Sequence, residues 1–140
     1  MRDEYSILEH EQSSIFWNKT KNLEVFSNSK GNLLRVIVPM SETVNVIQKL
    51  KAYDIKYFLD WGGSLIWLQI EDLNLKILKE IRDITQKHSG YFTIIKIEED
   101  LKASADIFTI DPIKYKISEK IKKSFDPKRI FNPGKMYSGI

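Results

Sequence analysis

Cysteine is absent from the 140 residues. That excludes disulfides, thiolate metal sites and cysteine nucleophiles, and it fits a reducing compartment. Histidine is scarce: His10 and His88 fall in different predicted elements, and both read as structural. No HxxxH, HExxH or aspartate-rich calcium loop occurs, so no metal site is expected. No apolar run approaches the roughly 18 residues that span a bilayer. The first residues, Met-Arg-Asp-Glu-Tyr, are acidic and lack an apolar core, so no signal peptide is expected. The serines lack a GxSxG setting. The glycine pair Gly62-Gly63 sits between two predicted strands, whereas a phosphate-binding loop joins a strand to a helix. No catalytic residue is assigned.

What is present is ordinary globular composition, 42% hydrophobic and 29% charged, which argues against wholesale disorder. The length suits one α+β domain over residues 1–140, large enough to bury a core without staples. The net charge of +3 is uneven. Residues 111–140 hold eight Lys/Arg against Asp111, Glu119 and Asp126, while the remainder holds 14 against 16 acidic residues. A basic end suits nucleic acid, anionic lipid or an acidic partner, and equally a solvated lysine-rich helix.

Hydrophobic periodicity orders the chain. Residues 5–20 form a weak helix with Leu8, Ile15, Phe16 and Trp17. Residues 33–38 are β-branched and stop at Pro39, which predicts a strand. Ser41 caps a helix bearing Val44, Ile47 and Leu50. Residues 55–61 alternate, Gly62-Gly63 signals a two-residue hairpin, and residues 65–70 return as a strand. Residues 73–88 are the clearest helix, capped by Asp72 and ended by a left-handed Gly90. Residues 91–98 make a fourth strand and residues 99–110 a loop. Asp111-Pro112 then opens a last helix to about residue 124. Strand, helix, strand, strand, helix, strand is the ferredoxin-like α+β order, with a four-stranded antiparallel sheet and both helices on one face. The other face also needs a cover, from the N-terminal segment, the C-terminal helix, another domain or a second copy.

The last sixteen residues, Phe125-Asp-Pro-Lys-Arg-Ile-Phe-Asn-Pro-Gly-Lys-Met-Tyr-Ser-Gly-Ile140, stand apart. Two turn signals, Asp126-Pro127 and Asn132-Pro133-Gly134, lie among aromatics and cations, so regular structure is excluded and a strap pinned against something else is expected. This tail resembles the terminal FDP-x-x-IFNPG-[KR] motif of FAD-linked oxidases of the vanillyl-alcohol-oxidase type. Asp60-Trp61-Gly62-Gly63, followed by Trp67, resembles the DWGG…W segment of the glycolate oxidase E-subunit family. Leu33-Leu-Arg-Val-Ile-Val-Pro39 resembles the LWRLSVP-like strand before it. The three motifs come in the same order as in that family and span residues 33–137.

The resemblance implies a C-terminal cap domain, without the glycine-rich flavin domain that precedes it in relatives. It implies FAD in the intact enzyme and none held by this chain alone. It places Asn132, Pro133 and Gly134 at the flavin-domain interface, and Asp60, Trp61, Gly62 and Gly63 on the substrate side of the cap. The intact complex would oxidise glycolate or a related 2-hydroxy acid to the 2-oxo acid. Its partners would be the flavin domain and other oxidase subunits, or a second copy. Its location would be cytoplasmic, touching a membrane only through partner subunits. One departure stands out. Where the family shows a GGH-x-T-like sequence, this chain has Ser89-Gly-Tyr-Phe-Thr93, with Tyr91 in the histidine's place. A phenol of pKa roughly 10 does not replace imidazole as a base near neutrality. A binding module on the same sheet, reading RNA through cations and aromatics, is the alternative from another class.

Overall fold

The structure, a computed structural model, describes residues 6–27, 31–102, 104–109 and 111–135. Met136 and Tyr137 of the tail motif lie outside them. The chain divides into two compact units, Met1–Lys30 and Gly31–Ile140.

The first unit holds α1, His10–Lys21, and a 3-10 turn at Glu24–Phe26. The helix starts five residues later than its apolar spacing suggests. The cause is a capping box at Glu9, whose carboxylate accepts from the Gln12 backbone while the Gln12 side chain accepts from the Glu9 N–H. No residue of α1 is buried. Phe16 and Trp17 meet edge to face at 5.3 Å, and both are exposed.

The second unit is an α+β fold on a four-stranded antiparallel sheet. In order come β1 (Asn32–Ile37), α2 (Thr43–Leu50), β2 (Ile55–Asp60), β3 (Leu65–Ile70), α3 (Leu75–Lys87), β4 (Tyr91–Lys96), α4 (Glu99–Lys102) and α5 (Pro112–Phe125). The strands lie in the order β2-β3-β1-β4. Period-two alternation sends Leu34, Val36, Ile66, Leu68, Phe92 and Ile94 to one face. There they pack with Val46, Ile47 and Leu50 of α2 and Leu78 and Ile81 of α3. The opposite face carries Arg35, paired across the sheet with Trp67 on β3 and Thr93 on β4.

Several local expectations are corrected. Residues 73 and 74 stay outside α3: Asn74, not Asp72, caps it by accepting from the Ile77 N–H at 3.0 Å. Leu73 still fills the core from the preceding loop. A 3-10 turn at Met40–Glu42 occupies the place where Ser41 was to cap α2. The left-handed residue after α3 is Ser89, at φ 57°, not Gly90. Gly90 is small for another reason: a Cβ there would stand 2.5 Å from Val38 Cγ1 and 2.7 Å from the Ile37 carbonyl oxygen.

The β2–β3 connection is four residues long, not two. Asp60 and Leu65 remain paired, and Trp61 leaves the strand at φ 52° because the Asp60 carboxylate takes its N–H at 2.7 Å. Residues 99–110 are not a plain loop either. They contain α4, and Phe108 pairs antiparallel with Thr93 through bonds from the Ile94 N–H to the Ile107 carbonyl and from the Thr109 N–H to the Phe92 carbonyl.

Two polar knots tie this frame. Asn32, fully buried, donates to the Ile70 and Glu71 carbonyls and accepts from the Glu98 N–H, joining the ends of β1, β3 and β4. His88, in the C-cap of α3, lies 2.5 Å from Glu42 and 2.8 Å from the Lys49 ammonium. Nε2 must accept from the ammonium, so Nδ1–H donates to the carboxylate. That bond, with one from Asn45, holds the Glu42 carboxyl below its ordinary range. The structural reading of His88 therefore acquires a partner set.

Candidate docking surface

The helix α5 begins because Asp111 accepts from the backbone N–H groups of Ile113 and Lys114, at 2.7 and 3.3 Å, and Pro112 supplies a preset φ in the first turn. Its apolar residues recur every fourth position: Ile113, Ile117, Ile121 and Phe125. Such spacing makes one stripe, and in a self-contained domain that stripe turns inward. Here it is turned out. The four residues are 69, 53, 54 and 85% exposed, and α5 buries no residue. The half-buried positions are instead Tyr115, Ser118 and Lys122, along one flank of the stripe. By the same angular step, Lys116, Lys120 and Lys123 border its other flank.

The strap that follows is closed on itself by Asp126. This buried carboxylate accepts from the Ile130 and Phe131 N–H groups, each at 2.9 Å, and from Lys122 Nζ at 2.8 Å. Lys122 also reaches the Phe131 carbonyl. The Lys122 hydrogen bond first, and then the two backbone N–H groups, bring the Asp126 carboxyl down to about 2. Arg129 at φ 52° and Asn132 at φ 45° take left-handed backbone so that the chain can turn back within five residues. The result presents Ile130 and Phe131 outward, 66 and 68% exposed, beside the α5 stripe in sequence. The sequence reading treated Asp126-Pro127 as a turn and missed the hub. The Lys122/Asp126 pair at i,i+4 on the helix end was the available signal.

The residues assigned from resemblance occupy two separate places. Asn132, Pro133 and Gly134 are exposed at the end of the strap, Gly134 at φ 69° with nothing within 4 Å of where a Cβ would sit. Asp60 to Gly63 form the β2–β3 turn, tied down by Thr43 Oγ1 donating to the Gly63 carbonyl at 2.7 Å and Ser64 Oγ to the Trp61 carbonyl at 2.9 Å. Among the described residues no hydrogen bond or ring contact joins the two sets. Tyr91 lines a cavity of about 360 Å³ with Gln86, Thr109, Asp111 and Lys114, and Lys114 Nζ stands 4.8 Å over its ring. No cluster of potential metal ligands exists among the described residues, and no helix there is long and apolar enough to cross a membrane.

This segment is also where the chain meets a known family. Residues 108–136 match the family described as FAD linked oxidases, C-terminal domain. The match runs from the Phe108 bridge through α5 and along the strap. It supports an FAD-linked oxidase C-terminal domain for that part of the chain. No curated protein and no solved structure matches the chain.

Proposed function

We propose that this chain is the C-terminal cap and interface domain of an FAD-linked oxidase subunit of the glycolate oxidase E type. In the intact complex, FAD accepts a hydride equivalent from glycolate or a related 2-hydroxy acid and the 2-oxo acid leaves. The partner seated on α5 and the strap is the flavin-binding domain. The observation that carries the reading is a coincidence of place. The matched residues 108–136 contain the outward stripe Ile113, Ile117, Ile121 and Phe125 and the exposed Ile130 and Phe131. Several large exposed apolar residues gathered in one segment mark an interaction site. The bordering lysines favour a partner whose rim is acidic.

The flavin belongs to that partner. A dinucleotide pyrophosphate needs free backbone N–H groups at a helix start. Here the α5 start is filled by the Asp111 carboxylate, the α3 start by Asn74 and the α1 start by Glu9, while α2, which has no side-chain cap, carries the acidic Glu42 at its N-cap. Asp111 and Glu9 add negative charge where a phosphate would come. The chain's own residues therefore contribute walls and a grip, and no redox step is routed through them. Absence of a base at Tyr91 agrees with this division of labour.

The test is reconstitution. A flavin-binding domain of an FAD-linked oxidase, stripped of its own C-terminal segment, is mixed with this chain. Comigration on gel filtration and glycolate-dependent dye reduction are expected. Turnover by this chain alone, or a homodimer through α5 that excludes the flavin domain, contradicts the reading.

A further inference from the structure

The sheet face opposite α2 and α3 holds a cation without a counter-charge. Arg35 stands in the middle of β1, and its guanidinium carbon lies 5.3 Å from the Trp61 ring centroid and 5.9 Å from that of Trp67. Both distances are within cation–π range. Trp61 comes from a turn that bends against its own preference to deliver it. A bulky residue at φ 52° is a backbone outlier, and such strain collects at functional positions. The Asp60 carboxylate and the Ser64 hydroxyl hold the Trp61 backbone there.

Stacking uses the faces of the guanidinium and leaves its five in-plane N–H donors untouched. Those donors are idle. The Arg35 side chain takes part in no hydrogen bond and no ion pair among the described residues, and its Nε is sealed from solvent without a partner. The contrast is Arg82, which also lies over a ring, Phe92 at 5.4 Å, but spends its terminal nitrogens on Asp106. Arg35, only half-buried, keeps its terminal edge open. Beside it Trp61 is 58% exposed, an apolar wall next to a fork of donors.

We infer that Arg35, Trp61 and Trp67 form a binding site for the carboxylate of a small organic acid. The two terminal nitrogens of Arg35 take the carboxylate oxygens in parallel, the geometry a guanidinium fork matches best. Trp61 covers the acid's carbon skeleton. That wall favours organic acids over inorganic oxyanions. The site is argued from geometry alone, yet it deepens the oxidase reading, which puts Trp61 on the substrate side and whose 2-hydroxy acid is one member of the class the site accepts.

The experiment is an NMR titration of the full chain, following the Arg35 Nε–H and the indole N–H signals of Trp61 and Trp67. Acetate, glycolate and lactate are the probes, with inorganic phosphate and chloride as controls at constant ionic strength. Saturable shifts of all three signals with the carboxylates, in the millimolar range, are expected. Arg35→Lys keeps the charge but loses the fork and should weaken binding about tenfold or more. Should that variant fail to fold, Trp61→Leu should weaken binding while the amide spectrum stays dispersed. Shifts that never saturate, shifts equal in chloride, or a preference for phosphate overturn the inference. None of these results depends on a flavin domain, so this site and the oxidase reading fail separately.

Discussion

Two parts of this chain use the same apolar vocabulary to opposite ends. In residues 32–96, Leu34, Val36, Ile66, Leu68, Ile81 and Phe92 point inward and are at most 1% exposed. In residues 112–131, Ile113, Ile117, Ile121, Phe125, Ile130 and Phe131 point outward and are more than half exposed. Both follow regular periods. The first set is satisfied within its own fold, while the second is left open to solvent, where the proposed partner would cover it. Stability should therefore reside in the first part and recognition in the second.

Substitution in each region breaks or sharpens that contrast. The largest effect is expected at Phe92, 1% exposed in the core. Phe92→Ala should cost about 3–5 kcal/mol in urea unfolding, whereas Ile117→Ala, 53% exposed, should change the isolated chain by no more than about 0.5 kcal/mol. Equal losses at the two sites would erase the distinction. Next comes Gly90→Ala, whose new methyl would collide with Val38 and the Ile37 carbonyl. Overpacking of this kind costs about 1–3 kcal/mol, read as a lower melting temperature. Asn74→Ala removes the α3 cap and should cost about 1 kcal/mol.

The smallest effect on global stability, and the most local, is at Asp126. Its carboxyl titrates near 2 in the folded chain against an ordinary 3.8. A depressed acid stabilises the fold above the ordinary value and loses that contribution as pH falls through the folded one. The strap should therefore stay latched at pH 5 and release between about pH 4 and pH 2. Hydrogen exchange at the Ile130 and Phe131 amides reads this directly. Asp126→Asn should show the released behaviour at neutral pH, with the core amides unchanged.

Much of the frame was legible because periodicity is local. Alternation marked β2 and β4, β-branched residues ending at Pro39 marked β1, and the spacings of four and three among Ile77, Ile81 and Ile84 marked α3. What escaped was long-range or two-sided. Asn74 outcompeted Asp72 because its side chain reaches the Ile77 N–H. Gly90 was read as a backbone device, but its reason is a close approach from β1 that no local window contains. The last helix was expected from Asp111-Pro112 alone, and a sequence does not say which way the face of a helix turns. Arg35 looked like one polar residue in an apolar strand. Its importance came from Trp61 and Trp67, 26 and 32 residues further on.

The central claim is that α5 and its strap are a built interface and not a misplaced piece of core. The most direct measurement pairs Ile117→Glu with Ile121→Glu and follows both the melting of the isolated chain and its comigration with a flavin-binding domain. An unchanged melting temperature with comigration abolished is the predicted result. A chain that unfolds, or one that still binds the flavin domain as the parent does, would contradict it.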